Sequence, residues 1–192
     1  PRDGIVALPV TVTTRVFGTI RGPLRVPVRT EDDHPRIAWA QRLTFPGLRD
    51  GEHLTRRTNL PRRADLLARD GTPLAEGEGR TSPLASASAI SGALGPIPKD
   101  RALELRAQGV PDDAQVGTSG LERVFDERLR GTPGGVLRAG GRDLGAGIAM
   151  PAPAVRTSIA PSVQTAAVDA LAGRLGGIAV VRPRTGEILG LS

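Results

Sequence analysis

The segment from Ser119 to Gly131 constrains the fold most, because it carries both a start and a stop for a helix. Ser119 stands where a cap would, and Glu122, three residues on, can reach back to the cap's own N–H, the pattern of a capping box. Leu121, Val124, Phe125 and Leu129 then follow at i, i+3, i+4 and i+8, one apolar stripe of an amphipathic helix. Gly131 can take the left-handed conformation just past the last turn, and Pro133 prevents the helix from resuming. Asp126 and Arg130 sit four apart in the favourable order; on an exposed face such a pair contributes about 0.3–0.5 kcal/mol. The spacing predicts a short helix, stopped at both ends and docked on a core by one face. It is a structural element and holds no chemistry of its own.

Earlier in the chain the period changes from helical to alternating. Val6–Phe17, Arg25–Arg29 and Arg36–Phe45 carry β-branched or apolar residues at nearly every other position, separated by Arg21-Gly22-Pro23 and the acidic turn Glu31-Asp32-Asp33. This predicts a three-stranded antiparallel meander, with Trp39 in its core. Pro27 is expected at an edge strand or a bulge, since it cannot donate to a ladder. Three strands without a helix are half a domain, with one sheet face lacking a cover.

Asp70-Gly71 is a hairpin signal between apolar runs. Residues 76–97 are rich in Gly, Ser and Ala and are expected to hold a strand over Leu84–Ile90, then a hinge through Gly92 and Gly95. Pro98–Ala107 reads as a short helix with Pro near its start and Gly109 past its end. Gly134–Gly147 has neither a Lys nor a phosphate-loop spacing, so it is read as a turn between strands. In the last 38 residues, a strand over Val155–Ile159 leads to a helix opened by Pro161, then two strands, 177–181 and 187–191, around Pro183-Arg184-Thr185-Gly186.

Gly and Pro together make 42 of the 192 residues, below the roughly 25–30% at which composition suggests disorder. The net charge is +6, and all but one of the 26 basic residues are Arg. They are spread from Arg2 to Arg184 and interleaved with acids, and almost no aromatic is at hand to stack a base, which argues against nucleic acid. The absence of Cys excludes disulfides and thiolate metal sites. His34 and His53 share no metal-ligand spacing, and no cofactor is expected. No run approaches the roughly 18 apolar residues of a membrane-spanning helix. The chain opens on Pro1 rather than Met, and is expected to be a piece of something longer.

Gly117-Thr118-Ser119-Gly120-Leu121-Glu122, then Phe125 and Leu129-Arg130-Gly131-Thr132-Pro133-Gly134, resembles the pedestal segment of class B penicillin-binding proteins, with Phe125 where the family has Tyr. Pro61, Arg63, Leu66, Arg69, Gly71, Leu74 and Ala75 match a second family motif at unbroken spacing. Ala64, Ala68 and Asp70 depart from it, and the loss of an Asp at position 68 removes a partner for an arginine. Trp39 with Phe45-Pro46-Gly47-Leu48 resembles the end of the NTF2-like domain in the methicillin-resistance type. Thr157-x-Ile159-Ala160-x-x-x-Gln164, followed by Pro183-x-Thr185-Gly186-Glu187-Ile188-Leu189, resembles the entry to the transpeptidase domain, with Ala160 in place of Asp.

The resemblance implies an α+β chain in three parts: residues 1–54 as the C-terminal part of an NTF2-like domain, 55–154 as the pedestal or dimerisation domain, and 155–192 as the N-terminal edge of a transpeptidase domain. It implies structural roles for Arg63, Arg69, Gly71, Ser119, Gly120, Glu122 and Gly131, and a pair between Arg63 and Glu122. Its implied setting is the extracytoplasmic face of a bacterial membrane, with the anchor outside this chain. The partners it implies are peptidoglycan and wall-synthesis proteins, and it allows dimerisation. Family catalysis uses Ser-x-x-Lys, Ser-x-Asn and Lys-Thr-Gly, placed beyond Ser192. Here Lys99 has Pro96 three residues before it and Asp100 after it, and Asn59 follows Arg57 by two, so no catalytic residue is expected. The rival from another class is a stand-alone basic module that binds an anionic polymer (cell-wall glycan, teichoic acid or nucleic acid) through the arginines of 56–69.

Overall fold

The computed structural model describes residues 4–192. In chain order the first strands are β1 (Gly4–Thr13), β2 (Thr19–Glu31), β3 (His34–Ile37), β4 (Leu54–Asn59), β5 (Leu66–Leu67) and β6 (Pro73–Ala75). After them come α1 (Ser88–Ser91), β7 (Leu94–Pro96), α2 (Ala102–Ala107), β8 (Gln115–Gly117), α3 (Gly120–Val124) and α4 (Asp126–Arg130). The last are β9 (Gly134–Ala139), β10 (Arg142–Gly147), β11 (Val155–Arg156), α5 (Pro161–Leu171), β12 (Ala179–Val181) and β13 (Ile188–Leu191). The fold is α+β with small, mostly antiparallel sheets. It divides into two compact units, one reaching to Asn59 and taking back Pro133–Ile148, the other holding Leu60–Thr132 and Ala149–Ser192.

In the first unit a meander forms as expected, in the order β1-β2-β3, but its first turn falls at 14–18 and the expected separator Arg21-Gly22-Pro23 lies inside β2, paired with Thr11, Val10 and Pro9. Its first hairpin runs from Gly4↔Val28 to Thr13↔Thr19, closed by Thr14, whose Oγ1 donates to the Gly18 carbonyl at 2.8 Å and accepts from Phe17 N at 2.8 Å. Pro27 is a correction, because it lies in the central strand. Its carbonyl accepts from Ala38 N at 2.9 Å, beyond the end of β3. N–H and C=O of one strand residue point the same way, so the donor Pro27 lacks would face a ladder that has already ended.

Trp39 is also corrected: it is 72% exposed, and the chain leaves the sheet at Ala38 and coils into a 3-10 turn over Gln41–Thr44. The apolar alternation continues there, but the chain no longer pairs with β2, so alternation no longer selects a sheet face. The unit's second sheet has β9 between β10 and β4. Gly135 is required in β9, since a Cβ there would lie 2.2 Å from the Arg57 carbonyl. Arg142 forks onto both oxygens of Glu52, at 3.1 and 2.6 Å, and this bond holds the Glu52 carboxyl below its ordinary pKa.

The second unit is built around β11-β5-β6, in which Val155 pairs in parallel with Leu66, and Leu66 in antiparallel with Ala75. The Asp70-Gly71 turn closes as expected: Gly71 takes φ +96° and Asp70 Oδ1 accepts from Thr72 N at 2.9 Å. Leu66, Leu74, Ala87, Ile90, Leu129 and Ile159 lie in one buried cluster. The strand expected over Leu84–Ile90 is instead a 3-10 turn, Ala85–Ala87, running into α1. Leu84, Ala87 and Ile90 recur every third residue toward that core, which is the helical period. Pro161 opens α5 as expected, and Ala160, where the family has Asp, caps it without a side-chain bond.

Candidate functional site

Glu122 and Asp126 are each only 1% exposed, and ionised carboxylates are almost never this buried unless paired. They belong to two short helices, because Phe125 at φ −102°, ψ +14° breaks what the sequence presents as one. Both carboxylates point away from solvent toward arginines supplied by three other places in the chain and by α4 itself. The Gly117 N–H adds a bond to Asp126 Oδ1 at 2.8 Å.

Arg63, preceding β5, uses all three guanidinium nitrogens. Nε donates to Glu122 Oε2 at 2.8 Å, Nη1 to Asp126 Oδ1 at 3.0 Å, and Nη2 to the Glu122 carbonyl at 3.1 Å. Arg80 donates from Nε to Glu122 Oε1 at 2.7 Å and from Nη1 to the Ala64 carbonyl at 3.0 Å. Its Nη2 stands 2.5 Å from Oε1 as an ion pair but makes no hydrogen bond of its own. Arg80 sits at φ +49°, a conformation that non-glycine residues hold only when their surroundings impose it. Arg101 donates to Asp126 Oδ2 at 3.1 Å and to the Gly117 carbonyl at 3.2 Å. Arg130 Nε lies 3.2 Å from Asp126 Oδ2, while its Nη2 donates to Gln108 Oε1 at 2.9 Å.

Four guanidiniums therefore share two carboxylates, and every carboxylate oxygen is occupied. Burial lowers the Arg130 pKa, Asp126 opposes that, and the neighbouring Arg101 and Arg63 add to it. The cluster joins segments far apart in the chain. It is a clamp that draws the turn before β5, the loop after β6, the start of α2, and α3–α4 onto one point.

Several expectations are corrected here. There is no capping box: Ser119 Oγ accepts from Ala93 N at 3.0 Å instead of capping α3, and Glu122 is held by arginines. The pair Asp126–Arg130 is buried, not exposed. Val124 leaves the apolar stripe and is 71% exposed, because the break at Phe125 ends the regular turn. Gly131 takes φ +69° with ψ −165°, a positive-φ region reached essentially by glycine alone and distinct from the left-handed helix, and a Cβ there would lie 2.5 Å from the Met150 carbonyl.

Of the residues singled out from the sequence, Arg63 and Glu122 meet directly. Gly120, at φ +55°, faces Gly92 so closely that a Cβ would lie 2.5 Å from the Ile90 carbonyl. Arg69 stands apart with an exposed side chain, tied through its N–H to the Ile159 carbonyl at 2.9 Å. Arg80 and Arg101 were not legible as members, since one lies in a Gly-rich stretch and the other in an ordinary helix start. Gln164 is a further one: wholly buried, it accepts from Leu191 N at 2.9 Å and donates to the Leu191 carbonyl at 2.7 Å. Among the described residues no cluster of His, Asp or Glu could hold a metal ion.

Residues 70–139 match the penicillin-binding protein dimerisation domain. A crystal structure of Pseudomonas aeruginosa PBP2, in complex with WCK 5153, is similar to the chain at 26% identity and a TM-score of 0.54. That likeness covers 72% of this chain and 30% of the Pseudomonas chain, so this chain spans under a third of its length. No curated protein matches the chain. The matched segment contains Arg80, Arg101, Glu122, Asp126 and Arg130, which is the clamp without Arg63, and Arg63 comes from the second family motif. Motif spacing, family match and structural likeness converge on one family: residues 70–139 are similar to a penicillin-binding protein dimerisation domain, and the chain is similar to part of a penicillin-binding protein.

Proposed function

We propose that this region is the pedestal of a bacterial peptidoglycan D,D-transpeptidase, positioning the catalytic domain for cell-wall cross-linking on the extracytoplasmic face of the membrane. The observation that carries the reading is the buried clamp. Guanidiniums tie separate segments to two buried carboxylates, a stiff arrangement suited to a spacer. Residues 1–54, 55–154 and 155–192 then serve as the end of an NTF2-like domain, the pedestal, and the edge of the transpeptidase domain. Its partners are peptidoglycan and wall-synthesis proteins, reached through the whole protein, and the anchor is supplied outside this chain. No helix among the described residues is long and apolar enough to cross a membrane. Against the rival, Arg63 is unavailable for an anionic polymer because two buried carboxylates occupy it.

Two measurements test the proposal. The isolated chain should form no covalent adduct with a labelled penicillin, and a stoichiometric mass shift on any of its serines overturns the non-catalytic assignment. In the longer protein that joins this region to a transpeptidase domain, Glu122→Ala should leave acylation by soluble penicillin intact while lowering cross-linking of the wall. Unchanged cross-linking, or an equal loss of both activities, rules out a positioning role.

A further inference from the structure

The three-stranded sheet of the first unit has two unlike faces. Val26 and Ile20 are buried on one. On the other, the register sets Ile5 opposite Pro27, Ala7 opposite Arg25, Pro9 opposite Pro23 and Thr11 opposite Arg21. Between β2 and β3 the same face pairs Arg29 with Arg36, and Glu31 with His34. Arg21, Arg25, Arg29 and Arg36 are all exposed, and none makes an ion pair within the described residues. Glu31, at the far end of the row, is the only carboxylate among the paired residues of that face. Like charges directly opposite one another weaken a sheet, so Arg29 against Arg36 is a placement the fold alone disfavours.

We propose that this face binds a linear, base-free polyanion bearing phosphate groups, laid along β2. Successive arginines of β2 are four residues apart, about 13 Å at the strand rise, so the row runs roughly 27 Å from Arg21 to Arg29. The charges form a line and not a plane. Among the described residues the β1 side of the face (Ile5, Ala7, Pro9, Thr11) carries none, and that shape suits a chain better than a membrane surface. Among the described residues the face also has no aromatic ring on which a base could stack, which sets nucleic acid aside. Guanidinium matches phosphate in fork geometry and stays charged at every relevant pH. A shallow hollow of about 490 Å³ beside Arg21, between Ala7, Pro9 and Pro23, can seat an uncharged part of the repeat.

The test is binding of the 192-residue chain to short linear inorganic polyphosphate, followed by anisotropy across a salt series. Four phosphate contacts on a flexible polyanion predict a log–log slope of about −3, or roughly fiftyfold weaker binding for a fourfold rise in salt. Arg25→Gln with Arg29→Gln should halve the slope without lowering the thermal midpoint. Arg123→Gln with Arg174→Gln, exposed arginines of the other unit, should leave the slope unchanged. The proposal is overturned if both double variants lose binding equally, which would mean net charge alone. It is likewise overturned if vesicles of phosphatidylglycerol in phosphatidylcholine, or oligothymidylate, bind at matched charge more tightly than polyphosphate.

Discussion

Glu122 shows how much one side chain can hold. Its two oxygens take Arg63 and Arg80, which are 12% and 10% exposed, so removing the carboxylate strands two guanidiniums away from water. Glu122→Ala should therefore cost on the order of 3–5 kcal/mol, the range for breaking a buried pair from one side, against about 1 kcal/mol for an exposed one. Replacing Arg63 and Glu122 together by apolar residues should hurt less than the sum of the single changes. Denaturant unfolding of the two single variants and the double gives the coupling energy, and a value within error of zero refutes the clamp as an energetic unit. Arg80 bears on the same point, because a non-glycine residue at φ +49° is retained only where something outweighs the strain, and its bond to Glu122 does so.

At the scale of elements, the decisive contact is backbone against backbone. The end of α1 meets the start of α3 at Gly92 and Gly120, where a Cβ on Gly92 would lie 2.1 Å from the Ser119 carbonyl. Gly120→Ala meets both the positive φ and the Ile90 carbonyl, so α1 and α3 must separate. The expected loss is roughly 1–3 kcal/mol, as for overpacking, read as a lower denaturant midpoint with an unchanged slope. Because α3 carries Glu122, the same substitution should weaken the clamp. Gly71→Ala is the contrast, since the nearest atom to its Cβ would be an Arg156 nitrogen at 3.7 Å and only the φ of +96° opposes it.

At the scale of the molecule, the two units differ in how much apolar surface they bury. The second has a contiguous core of fully buried Leu66, Ala68, Ala75 and Leu129, with the clamp beside it. The meander of the first leaves Ile5, Val6, Leu8, Ile37 and Trp39 exposed and buries few large side chains. Regions with few buried apolar contacts open first. Native-state hydrogen exchange should accordingly show residues 6–45 opening before α3 and α4, and equal protection in both would contradict this order.

The sequence by itself determined what depends on neighbours along the chain. The meander was legible from alternation, the Asp70-Gly71 turn from its dipeptide, and the start of α5 from Pro161, because period and turn chemistry act over a few residues. The family motifs carried further and brought Arg63 to Glu122 across 59 residues. What local signals could not decide was left to tertiary structure. A capping box and a buried ion-pair partner call for the same Glu at the same position, and packing chose the second once Arg63 and Arg80 arrived. The helix breaks at Phe125, where nothing in the residue types forbids its continuing, and the two halves carry Glu122 and Asp126 to a shared set of arginines. Trp39 reads as core by composition, yet burial needs an opposing surface, and the strand ends two residues before it.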